Sequence, residues 1–148
     1  TESNLNNNVG MFDHHGLDER KLFLGTDGMH SDMLRSAKAA YFCGQAYGVS
    51  PLDMYRRFRN VHHYLKENRF NGDGDNNLVV LDYDTPTEVT PENFCAHVIY
   101  GIEARNVEHV ISNGHHIVDR GRVLTVNEFD VLAMAREQAV KLWQKMNR

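Results

Sequence analysis

The sequence predicts an α/β fold, and three features predict it. The apolar run Leu22-Phe23-Leu24 ends in a Gly-flanked turn, Gly25-Thr26-Asp27-Gly28, that opens a helix at Ser31-Asp32-Met33. Two helices with side-chain acceptors at their starts follow it. Beyond residue 77, apolar runs of strand length are punctuated by Asn113-Gly114, the strongest short hairpin signal, and a final helical segment closes the chain.

The elements follow in order. Leu22 to Gly25 is expected to be a buried parallel strand that delivers Asp27 onto the turn. Ser31 or Asp32 can cap a helix from Met33 to Tyr47, which stops at Gly48, a residue tolerant of the left-handed conformation. Ser50-Pro51-Leu52-Asp53 opens a second helix reaching about Leu65, with Pro at the first helical position and Asp three residues past the cap. The polar stretch from Glu67 to Asn77 reads as a turn region and a boundary. Leu78 to Leu81 is a strand, and Val107 to Ile111 pairs with His116 to Val118 through Asn113-Gly114. Asp119-Arg120-Gly121 supplies another turn. Thr90-Pro91-Glu92 starts a helix reaching about Tyr100, and Asn127-Glu128-Phe129-Asp130 starts the last one, reaching Lys145. There Val131, Ala135, Ala139, Leu142 and Met146 form a stripe at helical spacing, flanked by Trp143, which core packing explains better than a partner site does.

Composition sets bounds on function. The 148 residues are 41% hydrophobic and 24% charged, enough for one ordinary globular domain. The net charge of -4 gives no electrostatic footprint for nucleic acid. Arg56, Arg57 and Arg59 are the one dense basic group and read as a solvated helix face. No apolar run approaches the roughly 20 residues that span a bilayer. Cys43 and Cys95 lack metal-type spacing, which suits a reduced, cytoplasmic protein.

Asp27 is the residue with most chemistry to offer. A carboxylate at the C-terminal end of a buried strand sits where α/β barrels keep their chemistry, so it can be a metal ligand, a general base or both. The competing reading is a turn aspartate that bonds its own backbone between Gly25 and Gly28.

The residues Gly25-Thr26-Asp27-Gly28 with Ser31-Asp32-Met33, preceded by Glu2-Ser3-Asn4-Leu5-Asn6-Asn7-Asn8-Val9-Gly10, resemble the last part of the barrel in the amidohydrolase superfamily. The deaminase and chlorohydrolase branch is the nearest, and in detail the chain is most similar to the SsnA-like aminohydrolases. Asn77 to Asp82, Val107 to Gly114 and Val118 to Arg122 resemble the small β-domain that closes these enzymes. The resemblance implies the C-terminal part of a (β/α)8 barrel over residues 1–66. It implies a small β-rich domain of composite β-sandwich type, with a C-terminal helix, over 67–148. Members carry a His-x-His pair on the first barrel strand, and none occurs here. The chain thus resembles the C-terminal third of such an enzyme, opening inside the seventh-strand motif.

The implied activity is that of a metal-dependent aminohydrolase, a deaminase of a purine-like or related nitrogen heterocycle. A zinc or iron ion activates the attacking water in these enzymes. By the resemblance Asp27 binds that metal and also takes the proton from the water and passes it to the departing ammonia. His30 and Ser31, just after it, either contact substrate or cap the helix, and Ser3 and Asn4 shape the pocket. A small heterocyclic substrate and a homo-oligomer are the implied partners. Two alternatives stand beside this: release of halide on the same scaffold, or a C-terminal module of assembly or interaction in which Asp27 is structural.

The nine histidines need their own weighing. His14-His15, His62-His63 and His115-His116 are adjacent pairs, and neighbours on a strand or helix point different ways, so each pair reads as surface or partly buried structure. Asp73-Gly74-Asp75-Asn76 lacks the terminal Glu of a calcium loop.

Overall fold

Helix α1, Met33–Gly44, begins where the sequence provides an acceptor: the Asp32 carboxylate takes the Arg35 N–H at 3.1 Å. The computed structural model describes residues 16–70 and 77–147. The helix tightens into a 3-10 turn, Gln45–Tyr47, and stops at Gly48 with φ 71°, the left-handed stop read from the sequence. Gln45 Nε2 donates to the carbonyls of Tyr41 and Val49 at 3.2 and 2.9 Å, which satisfies groups the helix end leaves open.

Helix α2, Pro51–Glu67, carries the expected capping box. The Ser50 hydroxyl accepts from the Asp53 N–H at 3.2 Å while the Asp53 carboxylate accepts from the Ser50 N–H at 3.0 Å. The third helical segment departs from expectation. Residues 91–93 form a turn in which the Asn93 side chain accepts from the Thr90 N–H at 2.7 Å. Helix α3, Phe94–Ala96, then continues as a π turn, His97–Gly101, closed by Ile102 N–H to the His97 carbonyl at 2.9 Å. Tyr83 shares the space with Gly101, where a Cβ would overlap the tyrosine hydroxyl. A side chain at 101 would require the Tyr83 ring to shift.

These helices, residues 16–70 and 82–106, form one compact unit; residues 77–81 and 107–147 form the other. The segment 82–106 thus packs with the first unit, although it lies past the turn region after residue 66. The core of the first unit gathers Ala37, Ala40 and Tyr41 of α1, Val49, Met54 of α2, and Val98, Ile99 and Ile102. On α1 the buried set Ser36, Ala37, Ala40, Tyr41 and Gly44 recurs at helical spacing. Met54 and Ile99, 0% and 1% exposed, each contribute on the order of 1.5–3 kcal/mol through burial.

The second unit is a four-stranded antiparallel sheet in the order β1-β2-β3-β4. Its strands are β1 Leu78–Leu81, β2 Val107–Ser112, β3 His115–Asp119 and β4 Arg122–Val123. Both hairpin turns have two consecutive positive-φ residues, Asn113 (50°) with Gly114 (77°) and Arg120 (47°) with Gly121 (69°), the signs that type I′ turns demand. Helix α4, Glu128–Met146, is capped by Asn127, which accepts from the N–H groups of Phe129 and Asp130.

Two expectations, for α4 and for Arg57, are corrected; two others, for the strand and the barrel, are not met among the described residues. Leu22 to Gly25 pairs with no strand among the described residues, although Leu22 is extended, exposure alternates along the segment and Leu24 packs on the core. A strand exists only beside a partner. The sheet is antiparallel throughout, with neither a barrel nor a second sandwich layer among the described residues. The α4 stripe is not core, because every described residue of that helix is exposed, Leu142 and Trp143 by 55% and 59%. Arg57 does not belong to a solvated face; it is 6% exposed and makes a bidentate pair with Glu19, both bonds 2.7 Å. The periodicity of α2 turns residue 57 to the same side as buried Met54 and Asn60.

Candidate functional site

Asp27 stands on a turn closed by Met29 N–H to the Thr26 carbonyl at 3.0 Å, and its own φ is 51°. Aspartate tolerates this left-handed region better than most residues, which is how the chain reverses after the extended segment. The carboxylate is exposed. Two helices fix the approach to it. From α1, the buried Ser36 hydroxyl donates to the Gly25 carbonyl at 3.1 Å. From α2, Asn60 Nδ2 donates to the carbonyls of Glu19 and Leu22 at 2.7 and 2.9 Å. The carbonyls that a neighbouring strand would otherwise engage are thereby held by side chains, and Phe23 meets Tyr64 of α2 edge-on at 5.5 Å between ring centres.

His30 and Ser31 lie on the same loop. His30 Nδ1 accepts from the Asp32 N–H at 3.0 Å, so the neutral ring carries its proton on Nε2. That bond settles the local role of His30 Nδ1: it supports the residue that caps α1. Ser31 is exposed with φ 57°, and the cap is Asp32, not Ser31. Two left-handed non-glycine residues within five positions bend the loop twice, and such conformations gather at functional sites. Ser3 and Asn4, with His14-His15 and Asp73-Gly74-Asp75-Asn76, lie outside the described residues.

A catalytic zinc takes three protein ligands. Among the described residues Asp27 belongs to no group of three metal-ligating side chains, so these residues alone do not fit the ion that the resemblance implies. The one such group gathers elsewhere, on the sheet: His109, His116 and Asp119. Sequence reasoning missed it. His97, another residue it passed over, is buried between the Tyr83 hydroxyl at 3.1 Å from Nδ1 and the Thr87 hydroxyl at 3.2 Å from Nε2. Both ring nitrogens are engaged, which makes it a packing residue.

The 5-methylthioadenosine/S-adenosylhomocysteine deaminase of Pelotomaculum thermopropionicum is 28% identical to this chain over 65 residues. The match covers 44% of this chain and 15% of the deaminase, so the chain spans a small part of the length of that relative. No family model and no solved structure gives a significant match.

Proposed function

We propose that this chain is the C-terminal portion of an amidohydrolase-type enzyme that hydrolyses the C–N bond of an amino group on a purine-like or related nitrogen heterocycle, releasing ammonia. The observation that carries the reading is the placement of Asp27: an exposed carboxylate in a left-handed turn, at the end of an extended, half-buried segment that two helices hold by its carbonyls. The partial similarity to a deaminase supports the same class of reaction.

In this reading the extended segment is the last strand of a (β/α)8 barrel. Asp27 accepts a proton from the attacking water and returns it to the leaving nitrogen, which asks for one carboxylate within hydrogen-bond reach of both. His30 and Ser31, which follow on the same loop, contact the heterocycle. A divalent zinc or iron ion belongs to the proposal, with its remaining ligands outside the described residues.

A second reading, an assembly module, draws on helix α4, whose apolar stripe has no cover in its own unit. One screen separates the two. The complete gene product is assayed for ammonia release and metal content with 5-methylthioadenosine, S-adenosylhomocysteine and other aminopurines. Turnover with bound metal supports the deaminase. Metal-free protein without turnover supports the module, and chloride release from a halogenated ring supports the halide reaction.

A further inference from the structure

The sheet brings together three ligand-type side chains that the Asp27 reading does not use. His109 on β2 and Asp119 on β3 are direct cross-strand partners, so their side chains share a face. His116 lies three residues before Asp119 and in a regular strand would point to the opposite face. It does not, because the register shifts between Val110 and Ile111: Val118 pairs with Val110, but His116 pairs with Ile111, leaving Ile117 as the extra residue of a bulge. The Ile117 carbonyl is taken up instead by the Leu124 N–H at 2.9 Å. A bulge of this kind re-aims a side chain, and here it carries His116 over to the face of His109 and Asp119.

The resulting geometry converges. One ligand atom from each residue lies within 4.8 Å of the other two. His109 Nδ1 is 3.1 Å from Asp119 Oδ1, His116 Nε2 is 4.0 Å from the same oxygen, and the rings sit 5.3 Å apart at 55°. Two ligands of a tetrahedral zinc, each about 2.0–2.1 Å from it, stand roughly 3.3 Å apart. His109 Nδ1 is shut off from solvent and makes no hydrogen bond of acceptable geometry, despite its distance to the carboxylate. A buried ring nitrogen without a hydrogen bond, beside a carboxylate and a second imidazole, suits a cation seated between them.

We propose that His109, His116 and Asp119 bind one first-row transition-metal dication of the Zn²⁺, Co²⁺ or Ni²⁺ class. Two imidazoles and one carboxylate select these over Ca²⁺ and Mg²⁺, which take oxygen ligands. The ion staples β2 to β3 across the bulge, and three protein ligands leave a four-coordinate ion one position for water. This site is independent of Asp27.

The test is titration of the purified chain with Co²⁺ and with Zn²⁺, followed by visible absorption and by the ring resonances of the histidines. One equivalent is expected to bind, with shifts at His109 and His116 in the unsubstituted chain. His109→Ala, His116→Ala and Asp119→Asn should each weaken binding by at least about tenfold, while Asp27→Asn leaves it unchanged. Asp119→Asn keeps a turn-favouring residue, so its circular dichroism separates ligand loss from unfolding. Absence of binding to the unsubstituted chain overturns the proposal. So does binding that Asp27→Asn removes and His109→Ala does not.

Discussion

Asn60 shows how one side chain can stand in for missing secondary structure. Its amide satisfies two backbone carbonyls of the segment leading to Asp27, and at 9% exposure it has little water to replace them. Asn60→Ala is expected to cost about 1–3 kcal/mol, the penalty for leaving buried acceptors unmade. Chemical denaturation checks the loss, and a cost within experimental error would mean that the segment is held by its apolar contacts alone. The turn that carries Asp27 was legible in the sequence because its flanking glycines and the apolar run before it are local signals. The tie from Asn60 was not, since it joins residues about 40 positions apart and nothing in the composition of either segment announces it. His116 is the sharper case. The argument that adjacent histidines diverge holds, for only His116 of the His115-His116 pair joins the cluster. What sequence could not foresee is a bulge that changes its face.

Helices α1 and α2 obey local rules, so their starts and stops were readable from Asp32, Gly48, Ser50 and Pro51. Ser50→Ala should cost about 1 kcal/mol through loss of the cap. Asp53 adds a pH dependence. Hydrogen bonds from the Ser50 hydroxyl and N–H hold its carboxyl below the ordinary 3.8, so the folded state binds this proton less tightly than the unfolded chain does. The stabilisation is fully present above the unfolded value and is lost as pH falls through the lower folded one. Ser50→Ala should therefore flatten the acid limb of the unfolding curve, and an unchanged limb would remove Asp53 from the account. The π turn at His97 was not legible from local signals, and neither was the packing of Tyr83 against Gly101 from outside the helix. Gly101→Ala is expected to destabilise by about 1–3 kcal/mol through overpacking, and to release the Tyr83–His97 contact as seen in the histidine resonances. A neutral result would mean that Tyr83 has room to move.

Across the whole chain the largest departure from sequence expectation lies in its apolar surface. Leu78, Val79 and Val80 of β1 are 46–59% exposed, as are most apolar residues of α4. The period of an apolar stripe says that it wants cover; it cannot say whether the same chain provides it. Exposed patches of this kind mark association sites or aggregation hazards. The chain on its own should therefore self-associate, and Leu142→Lys with Trp143→Glu should shift sedimentation toward the monomer. A monomeric parent with a cooperative thermal transition would contradict that. No helix of the described residues is long and apolar enough to cross a membrane. The central claim, that this chain supplies the catalytic carboxylate of a deaminase, is tested most directly by ammonia release from a purine-type substrate by the complete gene product, with and without Asp27→Asn. The change is nearly isosteric and removes the proton acceptor, so turnover should fall by at least about 10² while the unfolding midpoint stays put. Turnover retained by the Asn variant would return Asp27 to the role of a turn residue.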